Sequence, residues 1–99
     1  MPCVYILFSP TMEKHYIGMA TTSAEERLEK HNSGVFEDNF TAKGIPWILC
    51  KSISCENNSQ ALKIEKFIKK MKSKVFIQKI IDDNDILVNS MLDKFKDDL

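Results

Sequence analysis

Residues 3–8 (Cys-Val-Tyr-Ile-Leu-Phe) are aliphatic, aromatic and β-branched without a break. Residues 15–19 resume that character after the polar stretch Ser9-Pro10-Thr11-Met12-Glu13-Lys14. Two such runs around a proline-containing connection predict a β-hairpin over residues 3–19. Placing Phe8 opposite His15 sets Tyr5 across from Gly18 and Leu7 across from Tyr16. Side chains alternate with a period of two, so Tyr5, Leu7, Tyr16 and Gly18 share one face, while Val4, Ile6, Phe8, Ile17 and Met19 fill the other. The pattern turns helical after residue 22. Thr22-Ser23-Ala24-Glu25, overlapped by Ser23-Ala24-Glu25-Glu26, has the form of a capping box and starts a helix that runs to about Asn32. Glu25 and Glu26 sit at its positive end, Lys30 and His31 at its negative end, and Gly34 is placed as a left-handed cap. Its sheet-facing stripe is Ala24, Leu28 and His31, with Arg27 alongside.

Residues 35–44 have weak periodicity and read as a loop. Pro46-Trp47-Ile48-Leu49-Cys50 opens a third strand that reaches about Ser54. Asn58 or Ser59 is placed to cap a helix over roughly 59–73, with Ile64, Phe67, Ile68 and Met71 as its apolar stripe and Ala61 on the margin. Glu65, the only acid on that helix, falls at the edge of the stripe. Residues 74–81 and 86–96 predict two more short helices. The order is ββαβαα(α), an α/β (α+β) arrangement in which helices flank a small antiparallel sheet.

At 99 residues, 43% hydrophobic and 28% charged, the chain fits one globular domain and excludes collagen-like and low-complexity classes. No apolar run approaches the length of a membrane span, and residues 1–8 lack the basic flank and cleavage site of a signal peptide. Three cysteines, with no CxxC pair among them, point to a reduced, cytoplasmic protein. The formal net charge of zero hides an asymmetry. Residues 1–81 hold 12 Lys+Arg against 8 Asp+Glu, whereas residues 82–99 hold 2 against 6. The basic part contains Lys63, Lys66, Lys69, Lys70, Lys72 and Lys74, opposed in that stretch by Glu65 alone. Such a cluster is either a phosphate-facing patch or the solvated face of a surface helix.

Common catalytic motifs are missing: the sequence has no phosphate-binding glycine loop, no HExxH, no zinc-type Cys/His spacing and no GxSxG. The run Asp82-Asp83-Asn84-Asp85 lacks the central glycine and terminal glutamate of a calcium loop. What remains is a dispersed set: Tyr5, Tyr16, Arg27, His31 and Glu65. Cys3-Val4-Tyr5, Tyr16-Ile17-Gly18, Arg27 with His31 four residues on, and Glu65 within Ala61-Leu62-Lys63-Ile64-Glu65-Lys66 together resemble the GIY-YIG nuclease superfamily. The resemblance is to small stand-alone members related to the N-terminal nuclease domain of excinuclease ABC. His31-Asn32-Ser33-Gly34 and Gly44-Ile45-Pro46-Trp47 extend the match, which covers about residues 3–81. A nuclease-like domain over 1–81 and an acidic helical extension over 82–99 follow. Cys3 and Val4 depart from the usual Gly-Ile of the first motif, both in ways a strand accommodates. A downstream asparagine seen in some branches has only Asn84 as a counterpart here, and no role is carried to it.

The resemblance implies metal-dependent hydrolysis of DNA phosphodiesters, with branched or damaged DNA in repair or recombination as candidate substrates. Glu65 would hold one Mg²⁺ or Mn²⁺, a hard ion that keeps water and phosphate oxygens as its other ligands. Arg27 would offer a bidentate fork to phosphate. Tyr5 and Tyr16 would position or deprotonate water, Tyr5 being the first choice of base, and His31 would relay a proton or contact phosphate. Each residue has a plainer alternative: Glu65 paired with Lys69, Arg27 in an ion pair, the tyrosines as cross-strand aromatics, His31 as a core-edge histidine. The rival for the whole chain is a catalytically silent nucleic-acid-binding or protein-interaction module on the same fold. With 99 residues and no separate recognition domain, a partner protein is expected to supply substrate recognition, and the acidic tail is expected to pack as a helical appendage or to screen the basic face.

Overall fold

The computed structural model describes residues 1–34, 42–83 and 85–96. Strands β1 (Cys3–Ser9), β2 (Lys14–Ala20) and β3 (Ile48–Ser54) form one antiparallel sheet in the order β2-β1-β3. The hairpin register is the one the alternation predicts, with Tyr5 opposite Gly18, Leu7 opposite Tyr16 and Phe8 opposite His15. On the other side, Ile6 faces Lys51 but Leu7 faces Leu49, so Cys50 is the extra residue of a bulge.

Helix α1 (Ala24–Ser33) starts where Ser23 Oγ accepts the Glu26 N–H at 3.1 Å, and it ends at Gly34 with φ of 75°. That φ suits a residue without Cβ. Helix α2 (Asn58–Met71) departs from expectation at both ends. Its cap is Asn57, whose side-chain oxygen accepts the Gln60 N–H at 2.8 Å, rather than Asn58 or Ser59. It closes at Lys72, left-handed at φ 48°, so that Ser73 is released to cap α3 (Lys74–Asp82) by accepting the Phe76 N–H. Met71, expected on the apolar stripe, is exposed at this end of the helix. Helix α4 (Ile86–Lys94) follows, and the Asp83 carboxylate accepts its Leu87 N–H.

The sheet carries a core on each face. Val4, Ile6, Ile17 and Ile53 pack with Ala61, Ile64 and Ile68 of α2, Ile80 of α3, and Val88 and Met91 of α4. Cys3, Tyr5, Leu7 and Ala20 pack on the opposite face with Ala24 of α1 and with Trp47, and Leu28 joins them. The two faces are those read from the alternation, except that Phe8 is only half-buried and lies against the His15 ring at 5.0 Å. The segment that carries the acidic residues contributes to the first core. Beyond Val88 and Met91, the Gln60 side-chain amide donates to the Leu92 carbonyl at 2.9 Å, and the Phe67 and Phe95 rings lie 5.3 Å apart. Among the described residues no helix is long and apolar enough to cross a membrane. The loop reading for 35–44 falls largely on residues 35–41, and the calcium-like run includes Asn84, both outside the described residues.

Candidate active site

The face of the sheet covered by α1 gathers most of the dispersed set. Tyr5 projects from the central strand and is 1% exposed. Its phenol oxygen lies 3.1 Å from Nε2 of His31, itself 3% exposed at the inner edge of α1. Tyr16, from the neighbouring strand, places its ring 6.5 Å from that of Tyr5 and 4.9 Å from that of His31. Trp47 closes the aromatic group, edge-on to Tyr16 at 6.0 Å.

The close approach of these rings depends on a missing side chain. A Cβ at Gly18, directly across from Tyr5, would lie 2.4 Å from both the phenol oxygen and its ring carbon. Gly44 does the same for Trp47, whose indole would stand 2.2 Å from a Cβ there. Trp47 is also held through its backbone: its N–H donates to Asn32 Oδ1 at 2.6 Å, and its carbonyl accepts from Asn32 Nδ2 at 3.0 Å. Asn32, adjacent to His31, thus fastens the end of α1 to the start of β3. Sequence patterning does not reveal this clasp, because nothing local links residues 32 and 47.

Arg27, one turn before His31, lies within hydrogen-bonding reach of the Tyr5 phenol. Burial pushes the phenol above the usual tyrosine range, against the pull of the Arg27 hydrogen bond and charge; Glu65 and Cys3 add smaller upward pushes. Arg27 has only donors to offer, so the phenol oxygen accepts from it. The phenol proton is then directed at His31 Nε2, which is the bare nitrogen of a neutral imidazole in that arrangement.

Glu65 reaches the site from α2, close enough to act electrostatically on Tyr5. Its side chain keeps 17% of its exposure and forms the expected contact with Lys69, 3.7 Å away. Such a pair one helical turn apart contributes only about 0.3–0.5 kcal/mol, which leaves the carboxylate available to a stronger partner. Among the described residues no group of three or more His, Cys, Asp or Glu could hold a metal. A single carboxylate does not suit a closed protein cage. It does suit a hard divalent ion that keeps waters and substrate oxygens as its remaining ligands.

The lysine cluster divides. Lys63, Lys66 and Lys70 lie exposed along α2. Lys69, Lys72 and Lys74 instead converge with Lys14 and His15 of β2 on a cavity of about 350 Å³ between β2, α2 and α3. Burial, helped by the Lys74 ammonium, pushes His15 below the usual imidazole range. Sequence spacing does not single out Lys14 and His15, because only the fold brings the hairpin turn beside the end of α2.

Comparison with known proteins agrees with this geometry. No curated protein and no solved structure matches the chain significantly. The family model of the GIY-YIG catalytic domain matches residues 1–80, which include all five dispersed residues and most of the sheet-and-helix body described above. The chain therefore belongs to the GIY-YIG family and carries its catalytic domain, a nuclease domain.

Proposed function

We propose that the protein is a divalent-metal-dependent DNA endonuclease that hydrolyses phosphodiester bonds, its substrates being branched or damaged DNA met in repair or recombination. One observation carries the reading: Tyr5, Tyr16, Arg27 and His31 meet on one face of the sheet, with Glu65 in electrostatic range. A guanidinium carries more N–H donors than one phenol can accept, and Arg27 binds a non-bridging pair of phosphate oxygens. The proton of Tyr5 passes along its hydrogen bond to His31 Nε2, and the Arg27 guanidinium stabilises the phenolate left behind. That phenolate takes a proton from the attacking water, and the water oxygen forms the new bond to phosphorus as the 3′-oxygen leaves. Tyr16 is half-buried, more open than Tyr5, and orients water and strand at the mouth of the site. Glu65 is the residue that would hold Mg²⁺ or Mn²⁺; when bound, such an ion supplies charge neutralisation at the phosphate and the leaving oxygen.

The likeness of the motifs to the nuclease domain of excinuclease ABC supports a repair substrate. The three cysteines, all free thiols, suit a reducing cytoplasm. A partner protein that delivers the substrate suits a catalytic domain of this size. The test is a cleavage panel of flap, branched, nicked and duplex DNA with Mg²⁺ or Mn²⁺, comparing wild type with Glu65→Ala. Cutting by wild type and none by the variant is the expected result. Identical behaviour of the two across the panel would leave a binding module on a nuclease fold.

A further inference from the structure

The cavity between β2, α2 and α3 has a composition that the catalytic group does not use. Its rim carries Lys14, Lys69, Lys72 and Lys74, its floor is Ile17, Ile68 and Ile77, and no carboxylate among the described residues lines it. Four ammonium groups around an apolar floor ask for a ligand that is anionic at one end and flat and apolar at the other. A nucleotide has that division: phosphate for the lysines, a base face for the isoleucines. About 350 Å³ lies within the range of small-ligand sites.

Position narrows the choice. Lys69 belongs both to the cavity and to the contact with Glu65, 3.7 Å away and one helical turn back. One turn of α2 spans about 5–6 Å, comparable with the step between neighbouring phosphates of an extended strand. Tyr16 also borders both the cavity and the aromatic group around Tyr5. A strand with its cleaved phosphate at Arg27 and Glu65 therefore carries its neighbouring nucleotide into the cavity. A base stacked and paired inside a duplex cannot turn its face to an isoleucine floor.

We propose that this cavity binds one unpaired nucleotide of the DNA strand, adjacent to the phosphate being cut. The proposal rests on the nuclease reading and sharpens it, because it makes an unpaired nucleotide beside the cut part of what the enzyme recognises.

The experiment uses the full chain in EDTA, so that nothing is cut, and fluorescence anisotropy of a ten-nucleotide oligo(dT) and of a blunt duplex of equal length. One variant, Lys14→Gln with Lys72→Gly, removes two charges from the cavity. Glycine suits the left-handed φ of 48° at position 72, so the turn keeps its shape. A control, Lys63→Gln with Lys66→Gln, removes two charges from the exposed side of α2. Expected are tighter binding of the single strand than of the duplex, an approximately tenfold loss in the cavity variant with a shallower salt dependence by about one phosphate contact, and a smaller loss in the control. Equal losses in the two variants, equal binding of single strand and duplex, or no binding by wild type would each overturn the cavity assignment. Metal-dependent cleavage by wild type, run in parallel, tests the nuclease reading separately. Its absence alongside cavity-dependent binding sinks that reading alone, and its presence with equal losses sinks the cavity alone.

Discussion

Gly18→Ala isolates the one position where the site depends on the absence of a side chain. A Cβ there would stand 2.4 Å from the Tyr5 phenol oxygen and ring carbon, and ordinary contact begins near 3.4 Å. The ring must therefore retreat by about 1 Å. It has little room to do so, since Tyr5 is 1% exposed and sits in the core built by Leu7, Ala24 and Trp47. Overpacking of this kind costs roughly 1–3 kcal/mol. The hydrogen bond to His31, 3.1 Å long, stretches past the useful range as the ring moves. A displacement of about 1 Å at a reacting group is worth on the order of 100-fold in rate. The assays are thermal unfolding and single-turnover cleavage of a flap substrate with Mn²⁺, for Gly18→Ala, Tyr5→Phe and the double variant. If the alanine acts through the phenol, the double variant cuts no more slowly than Tyr5→Phe but still melts below it. A Gly18→Ala protein that keeps the wild-type rate and melting temperature would refute both the placement of the phenol and its role.

Other expectations are as direct. Arg27→Lys keeps the charge but not the fork, and the cleavage rate should fall at least tenfold with little change in melting temperature; an unaltered rate removes Arg27 from phosphate binding. Asn32→Ala strips both partners from the Trp47 backbone and should cost about 2 kcal/mol, or roughly 8–16 °C in melting temperature, checked by calorimetry. His15 stands among Lys14, Lys69, Lys72 and Lys74, and its protonation is disfavoured without a ligand. A bound phosphate favours the protonated form, so oligo(dT) affinity should rise as pH falls below about 6.5, and His15→Gln should flatten that dependence. Deleting the acidic segment is a poor test of charge screening, because Val88 and Met91 belong to the core. Asp85→Asn with Asp93→Asn leaves the core untouched and should tighten DNA binding at low salt; unchanged affinity counts against screening.

Much of this architecture is legible from short-range pattern. The alternation over residues 3–19 sets the hairpin register, and with it the shared face of Tyr5 and Tyr16 and the opening at Gly18, because a slip of one residue would turn every apolar side chain outward. Ser23 and Gly34 mark α1 since each answers a local backbone need. The end of α2 is not legible. Lysine stands at the left-handed position where glycine is usual, and Ser73 serves the next helix instead of the last. The dispersed catalytic set is readable as an ordered series of motifs, but its plainer alternatives are separated only by three-dimensional closeness. The cavity and the Asn32–Trp47 clasp lie beyond sequence reading for the same reason: each joins elements whose partners are set by long-range packing.

The clasp also divides the chain into parts with different freedom to change. Asn32 and Trp47 hold the two ends of the connection between α1 and β3, so the positions of His31 and Tyr16 are secured at its anchors. Doubling the length of a closed loop costs only about 0.6 kcal/mol in chain entropy. Residues between Gly34 and Gly44 can therefore be lengthened, shortened or replaced with little effect on the catalytic geometry. Diversification of substrate choice among related enzymes has an inexpensive place to occur, and an engineer grafting a recognition segment has a defined slot in which to put it.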